Sequence, residues 1–490
     1  MSAADVRARF APLFEPRGVL VAGVSTHPGK FGFVSLHNIQ ASGYQGTLIG
    51  SSREAGEVLG VKVVDDLDDL PDGELDLVFV CTPAAANVEL LRACAKKGIR
   101  AAFIASAGYG EAGEEGEAMQ AELVALADEL GMVVAGPNGQ GVISTPAKLC
   151  AQIVAPYPPA GRIAIASQSG NFVSSFQNFA HQTGVGVSRA VSAGNAAATS
   201  IADYLEYFAA DDETSVSLSY VEGVPDGRAF FERLRIAAAQ KPLVLVKGGA
   251  TAGGQQAAAS HTGSLASDDR VFDGMCRQAG ITRVDTIEAA YEVAATFATQ
   301  PLPKGPRTVV MTTAGGWGVV TADAITRSSL ELMPLPDDLR AALDEKLPPR
   351  WSRNNPVDLA GAETRDTIPE VLELIVGHPD VDAVVYLGLG IQSNTAALMR
   401  SGPFYPDHGL ERIVDYHERQ DARFAQAAAE LSERFDKPVL TATELAVTHP
   451  DNAGPVAVRA TGRVCYPSSN RAVTALDHLW RRARYLQARN

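Results

Sequence analysis

The sequence predicts an α/β protein of three consecutive domains, each built on a parallel sheet. Strand-like apolar runs alternate with helical patterns along nearly the whole chain, and that alternation buries a parallel sheet between two layers of helices. The pattern restarts twice, after VAPYPPAGR and again near Gly305. At 490 residues the chain is also too long for one hydrophobic core. The expected domains are therefore residues 1–146, 147–300 and 301–490.

In the first domain the runs are GVLVAG, the helix-like FVSLHNIQASG, LDLVFVCT, AAANVELLRACAKKG, IRAAFIASAG, a helix ending near Gly131, and MVVAG. Ligands of such sheets bind beyond the carboxyl ends of the strands. Small and polar residues cluster there in four places: Gly23 to Gly32, which includes Ser25 and Lys30; Cys81-Thr82-Pro83; Ser106 to Glu111; and Gly136-Pro137-Asn138. The first is a strand-to-helix glycine turn whose amides can hold a diphosphate, with Lys30 adding a positive charge. It is not GxGxxG, and Glu54 and Glu57 are the only acidic residues placed for a nicotinamide ribose, so a dehydrogenase is a poorer alternative.

The second domain reads GRIAIASQSG, FVSSFQNFAHQ, VGVSRAVSAGN, a helix through ADYLEYF, SVSLSYVEG, a helix through RAFFERLRIAAAQ, and the strand PLVLV. Ser167-Gln168-Ser169-Gly170 is a small-residue turn opening a helix, where free N–H groups and the helix dipole favour phosphate. The last strand feeds a Gly- and Ala-rich segment containing His261, expected to be a loop able to carry an imidazole between two places. An incidental histidine in a surface loop is the alternative. Glu222 ends the preceding strand, where a carboxylate can accept a hydrogen bond from one imidazole nitrogen and leave the other nucleophilic.

SQSG, VSAGN, VEG and above all SHTGSLA resemble the NDP-forming acyl-CoA synthetases, which include the ADP-forming acetate-CoA ligases and succinyl-CoA synthetase. GVSTHPGKFG, the CTP turn, SAGYGE and GPN are similar to the same family's CoA-binding domain. The resemblance implies a Rossmann-like CoA-binding domain followed by two flavodoxin-like domains. It implies CoA contacts from Gly23, Ser25, Lys30, Pro83, Ser106, Glu111 and Asn138. It further implies phosphate held by the amides around Ser169 and Gly170, and a phosphohistidine at His261 supported by Glu222. Two motifs depart from the family: Gly136-Pro137-Asn138-Gly139 stands for GPNC, and Gly50-Ser51-Ser52-Arg53 for VNPK.

The third domain reads RTVVMTTAGGWGVVTADAITRSS, LRAALDEKLP, the loop SRNNPVDLAG, a helix through EVLELIV, VDAVVYLGLG, a long charged helix through ERFD, and KPVLTATEL. By resemblance, TTAGGWG is a second phosphate cradle, with Gly316 and Gly318 on the ligand, and Asn355-Pro356-Val357-Asp358 a motif near the site. Trp317 is expected to be ordinary packing. The tail RAVTALDHLWRRARYLQ is an amphipathic helix expected to dock through Leu476, Leu479, Trp480 and Tyr485, on the body or on a partner.

A formal charge of -15 argues against general binding to nucleic acid or acidic membranes. Five scattered cysteines without CxxC spacing form neither a disulfide framework nor a zinc site. The N-terminus lacks the apolar core of a signal peptide and no run is long enough to span a bilayer, so a cytoplasmic protein is expected. No stretch resembles an ATP-grasp module. The resemblance therefore implies an alpha-type subunit acting on a small carboxylic acid and CoA, with a separate ATP-grasp beta subunit carrying ATP or ADP and Mg2+, in a hetero-oligomer or with a homodimer of the alpha chain. A non-catalytic CoA-binding regulatory or scaffold protein is the alternative.

Overall fold

A computed structural model describes residues 2–154, 156–224, 226–262, 268–359, 361 and 366–489, the side chains of 258–262 excepted. The chain divides into two compact units, residues 1–182 with 186–294, and residues 183–185 with 295–490. Among the described residues there are three parallel-dominated sheets, two in the first unit and one in the second.

The first sheet is laid down by α1 (Ala3–Phe14), β1 (Gly18–Ala22), α2 (Phe31–Ala41), β2 (Thr47–Ser51), β3 (Gly56–Val58), β4 (Val61–Val64), β5 (Leu77–Val80), α3 (Asn87–Lys96), β6 (Ala101–Ile104), α4 (Glu114–Leu130) and β7 (Val133–Ala135). Its order is β3-β4-β2-β1-β5-β6-β7, parallel except for β3 against β4. Every residue of β1, β5, β6 and β7 is buried, which is why those strands read as unbroken apolar runs without alternation. The ends of these four neighbouring strands form one edge.

The second sheet comprises β8 (Gly141–Ser144), β9 (Leu149–Gln152), β10 (Ala160–Ser167), α5 (Gly170–Thr183), β11 (Val187–Ser192), α6 (Ile201–Ala210), β12 (Val216–Val221), α7 (Gly227–Gln240), β13 (Leu243–Lys247), α8 (Ala252–Thr262), α9 (Asp269–Ala279) and β14 (Thr282–Arg283), followed by α10 (Ile287–Thr299). The order is β14-β13-β12-β10-β11-β8-β9. The hairpin β8-β9 is antiparallel, because its short connection cannot make the crossover that a parallel pair needs. Since β8 follows directly on the Gly136-Pro137-Asn138 turn, the chain passes from one sheet's edge into the other's.

The two sheets share a buried core to which α1 contributes Phe10 and Phe14, the latter stacked on Tyr207 of α6 at 4.8 Å. Arg189 of β11 is fully buried and lies 2.5 Å from Glu15 at the end of α1 and 3.3 Å from the buried Asp211.

The third sheet is formed by β15 (Arg307–Thr312), α11 (Gly315–Thr326), β16 (Glu331–Leu332), α12 (Asp337–Asp344), β17 (Val357–Asp358), α13 (Thr367–Gly377), β18 (Ala383–Leu387), α14 (Ile391–Arg400), α15 (Leu410–Phe435), β19 (Val439–Ala442), α16 (Leu445–Thr448), α17 (Ala453–Ala460), β20 (Cys465–Tyr466) and α18 (Ser469–Gln487). The order is β16-β15-β18-β19-β20, with β17 also on β15, all parallel. Asn355 closes a gap in it: its Oδ1 accepts from the Val310 amide at 3.0 Å, and its Nδ2 donates to the Thr308 and Met333 carbonyls at 2.9 and 3.0 Å. The tail helix α18 docks on α11 and on β18 to β20 of its own unit, with Leu476 and Leu479 fully buried, Trp480 buried and Tyr485 half-buried.

Arg189→Ala would leave Asp211 buried without its cation. The expected loss is about 3–5 kcal/mol of unfolding free energy in a urea titration, the range for breaking a buried ion pair from one side.

Candidate functional site

At the edge of the first sheet, Gly23 has φ +86 and its amide donates to the Ser51 carbonyl at 2.9 Å. A Cβ on Gly32 would run into the Gly23 carbonyl oxygen, so these two glycines let α2 start close against β1. Ser25 accepts from the His27 amide at 3.1 Å. Lys30, the N-cap of α2, is exposed and has no side-chain hydrogen bond or ion pair among the described residues. First-turn amides with a free cation beside them suit a diphosphate.

Along the same edge, Pro83 caps a short 3-10 turn and Ser106 lies two residues beyond the end of β6. Ser106 contacts Asn87, a fully buried residue that the sequence reading passed over. Its Oδ1 accepts from Thr82 Oγ1 at 2.7 Å, while its Nδ2 donates to Ser106 Oγ at 3.0 Å and to Tyr109 Oη at 2.8 Å. One amide side chain thus ties the CTP turn to the SAGYGE loop. The only signal for it was an asparagine at a helix start, a common capping residue.

Asn138, at φ +60, and Glu111 meet residues of the second sheet. A Cβ at Gly194, which has φ +53, would collide with the Pro137 carbonyl, so the GPN and SAGN turns lie back to back. Asn195 Nδ2 donates to Glu111 Oε2 at 2.6 Å and to Gln120 Oε1 at 2.9 Å, and Asn138 Nδ2 donates to Asn195 Oδ1 at 3.4 Å. Glu111 Oε1 accepts from the Gly108 and Tyr109 amides at 2.6 and 3.2 Å. Burial raises the Glu111 carboxyl, but the hydrogen bonds from Asn195, Gly108 and Tyr109 outweigh it and hold the group below its ordinary value. Its carboxylate is thus engaged by the protein itself. A cleft of about 370 Å³ opens where the two edges meet, lined among others by Glu111, Gln120, Gln168, Asn195, Gly223 and Phe230.

On the second sheet, Ser167 Oγ donates to the Ser169 carbonyl at 2.7 Å and accepts from its amide at 3.1 Å, shaping the turn into α5. Ser169 and Gly170 lie at the start of that 14-residue helix, half-buried. Gln168 reaches the neighbouring strand end, where its Oε1 accepts from the Glu222 and Gly223 amides at 2.6 and 3.3 Å. Glu222 is 8% exposed; burial raises the pKa of Tyr220, and the neighbouring Glu222 carboxylate raises it further. A Cβ on Gly248, at the next strand end, would strike the Tyr220 hydroxyl. Glu222 therefore sits at a crowded, ordered corner between β10 and β13.

The segment carrying His261 is not the open loop expected from its glycines. Gly249 turns at φ +71, Thr251 Oγ1 accepts from the Gly254 amide at 3.2 Å, and α8 then runs through Thr262. Its Gln and Ala residues are strong helix formers that outweigh two early glycines. The helix passes beside the Gly110–Ala112 turn. The His261 side chain lies outside the described residues, as do residues 263–267. At the foot of α8, Lys247 is buried with its ammonium 3.8 Å from Asp269, and burial pushes its pKa down.

In the second unit, Gly316 and Gly318 lie in the first turn of α11. A Cβ on Gly316 meets no atom within 4 Å, whereas one on Gly318 would crowd Pro356 at 3.1 Å, so the first glycine faces open space and the second is packed. Trp317 is half-buried and lines a cleft, which differs from the packing role expected of it.

Family models match in succession: a CoA binding domain over residues 17–145, a succinyl-CoA ligase like flavodoxin domain over 160–297, and a ligase-CoA domain over 308–395. The alpha subunit of ADP-forming acetate-CoA ligase I of Pyrococcus furiosus is 35% identical over 76% of this chain and 82% of that one. This chain belongs to the ADP-forming acetate-CoA ligase family. Another member, the ADP-forming 4-hydroxybutyrate-CoA ligase of Nitrosopumilus maritimus, is 31% identical over 76% of this chain and 54% of that longer one. The dinucleotide-forming acetyl-coenzyme A synthetase 1 of Ca. Korarchaeum cryptofilum, solved with phosphate and ADP, superposes with a TM-score of 0.83 at 28% identity, covering 98% of this chain and 97% of that one. In this family the first domain is a CoA-binding one, and the dehydrogenase alternative lapses.

Among the described residues no helix is long and apolar enough to cross a membrane, and no group of three or more His, Cys, Asp or Glu could hold a metal ion. All five cysteines are free thiols, and burial pushes the pKa of each up to about 12.

The folded protein is therefore expected to leave a thiol reagent such as DTNB unconsumed at pH 8 and to react fully in urea. Because the folded pKa of Glu111 lies below its ordinary 4.5, its clasp with Asn195 contributes fully above that value and is lost as the pH falls through the depressed one. Glu111→Gln is expected to flatten the acid limb of a stability-against-pH curve below about 4.5, measured by urea midpoints.

Proposed function

We propose that this chain is the alpha-type subunit of an ADP-forming acyl-CoA ligase. It interconverts acyl-CoA, phosphate and ADP with a carboxylic acid, CoA and ATP, through an acyl phosphate and a phosphohistidine on His261. The observation that carries the reading is the clasp between the two sheet edges of the first unit. It holds the Gly23 turn and Lys30, the start of α5, Glu222 and the helix leading to His261 in one compact body. The names of the relatives support it, and nothing in them favours the non-catalytic alternative.

In this reading Gly23, Ser25 and Lys30 receive the phosphates of CoA, while Pro83, Ser106 and Asn138 line the way along the edge toward the second sheet. Glu111 is assigned to positioning, because its carboxylate is occupied by Asn195 and two amides. Phosphate rests on the amides at Ser169 and Gly170 in the first unit, and the start of α11 at Gly316 and Gly318 is a further anion-binding helix start within the second unit.

A phosphate oxygen attacks the thioester carbonyl, the C–S bond breaks, and the thiolate leaves to take up a proton. The neutral imidazole of His261 then attacks phosphorus, the P–O bond to the acyl group breaks, and the carboxylate departs. Glu222 accepts a hydrogen bond from the other imidazole nitrogen and balances the charge it acquires. Helix-start amides stabilise the anionic transition states in place, with no reorganisation. The phosphoryl group passes to ADP, held with Mg2+ on an ATP-grasp beta subunit, and synthesis of acyl-CoA is the reverse. A separate beta chain agrees with the subunit naming of the Pyrococcus furiosus relative.

With radiolabelled phosphate and an acyl-CoA, the chain is expected to acquire acid-labile, base-stable label, absent in His261→Ala and formed about 100-fold more slowly in Glu222→Gln. No label on wild type with any acyl-CoA, alone or with an ATP-grasp partner, would remove the reading. Lys30→Glu is expected to weaken CoA binding about tenfold, ~1.4 kcal/mol, by calorimetry.

A further inference from the structure

The strands β5 and β6 run parallel with Val80 opposite Ile104, so Thr82 and Ser106, each two residues beyond those ends, lie side by side at the carboxyl edge of the first sheet. Asn87 opens α3 and bonds to both while being fully buried itself.

The proton inventory gives this network a direction. An amide side chain has an acceptor oxygen and two N–H donors, and a hydroxyl has a single proton to donate. The Asn87 oxygen accepts from Thr82 Oγ1 at 2.7 Å, and its nitrogen donates to Ser106 Oγ at 3.0 Å and to Tyr109 Oη at 2.8 Å. Thr82 has thus given its proton to Asn87 and can offer only lone pairs elsewhere. Ser106 has received a hydrogen bond and still holds its own proton. Neither hydroxyl makes another hydrogen bond among the described residues, and both residues are half-buried, open on one side. The edge therefore presents an acceptor at Thr82 beside a donor at Ser106, and the buried amide decides which is which.

Tyr109 locks the amide from inside. It is 2% exposed, and burial pushes its phenol above the ordinary value, so it stays a neutral hydroxyl able to accept from Asn87.

A ligand fits this pair only if it carries both a donor and an acceptor. Phosphate oxygens would face the lone pairs of Thr82, and a hydrocarbon chain would leave both hydroxyls unpaired, which is costly once water is excluded. The pantetheine arm of CoA carries both, in its amide groups and its hydroxyl.

We infer that Asn87 is a positioning residue that sets the Thr82 and Ser106 hydroxyls to read the pantetheine arm of CoA. Ser106 donates to an amide carbonyl of the arm, and Thr82 accepts from an amide N–H or from the arm's hydroxyl. Asn87 itself touches no ligand. The inference rests on the CoA reading of this edge and adds to it the residue that fixes the sense of two contacts.

The test is calorimetry on the full chain with two probes, CoA and adenosine 3′,5′-bisphosphate, which keeps the nucleotide end of CoA and lacks the arm. Asn87→Asp is nearly the same shape, but a carboxylate only accepts, so Ser106 must turn its proton inward and meet the ligand carbonyl with lone pairs. Three hydroxyl donors and the start of α3 receive the new charge, which favours a folded variant. Asn87→Asp is expected to weaken CoA about tenfold and the bisphosphate less than about twofold. Ser106→Ala is expected to do the same, and adding Asn87→Asp to it to cost less than about threefold more, since the two act through one contact.

An unchanged CoA affinity in Asn87→Asp, equal losses for the two probes, or fully additive losses in the double variant overturn the inference while leaving the CoA reading standing. If circular dichroism shows Asn87→Asp unfolded, Thr82→Val carries the test: CoA weakened about fivefold with the bisphosphate unchanged supports the inference, and unchanged CoA binding overturns it. Wild type that binds neither probe removes the CoA reading and the inference together.

Discussion

The close approach of Gly194 to the Pro137 carbonyl is the constraint on which the first unit's candidate site depends. Any side chain at 194 would push the two turns apart, and with them the hydrogen bonds that Asn195 makes to Glu111 and Gln120. The glycine also supplies the positive φ that the SAGN turn needs. The edges of two sheets become one continuous surface at this point. The buried Arg189, gripping α1 through Glu15 and the second sheet through Asp211, holds the same pair of sheets together on the side of α1 and α6.

Charge is managed locally. The chain is strongly acidic overall, with a net -15, yet the proposed chemistry handles phosphate in every step. Backbone amides at helix starts meet that demand without importing a cation, because the dipole and unpaired N–H groups come with the fold. Lys30 is exposed and unpaired among the described residues, as a cation awaiting a phosphate should be, whereas Lys247 is buried against Asp269 and anchors the foot of α8. Similar residues thus do opposite work according to burial.

Much of this was legible in the chain itself. The central strands of the three sheets announced themselves as apolar runs, since parallel strands buried on both faces have no alternation to hide. Motifs such as SQSG, VEG and GPN marked strand ends, because those turns demand small residues. Asn87, Gln120 and Asn355 were not legible as hubs. Each is a single polar residue in an ordinary helical or loop context, and its partners are up to 75 residues away in sequence, as Gln120 is from Asn195. The segment around His261 misled for the opposite reason, since its glycines spoke for a loop while its Ala and Gln residues, once capped by Thr251, carried a helix.

The amino-acid sequence by itself determined the fold class, the order of the elements and the places where chemistry could reside, because those follow from periodicity and from the steric needs of turns. Only the tertiary structure decided which of those places touch. That Glu111 serves Asn195, that β8 and β9 extend the second sheet, and that Trp317 faces a cleft all depend on contacts between distant segments. Such contacts are set by packing many side chains at once, and no local pattern records them.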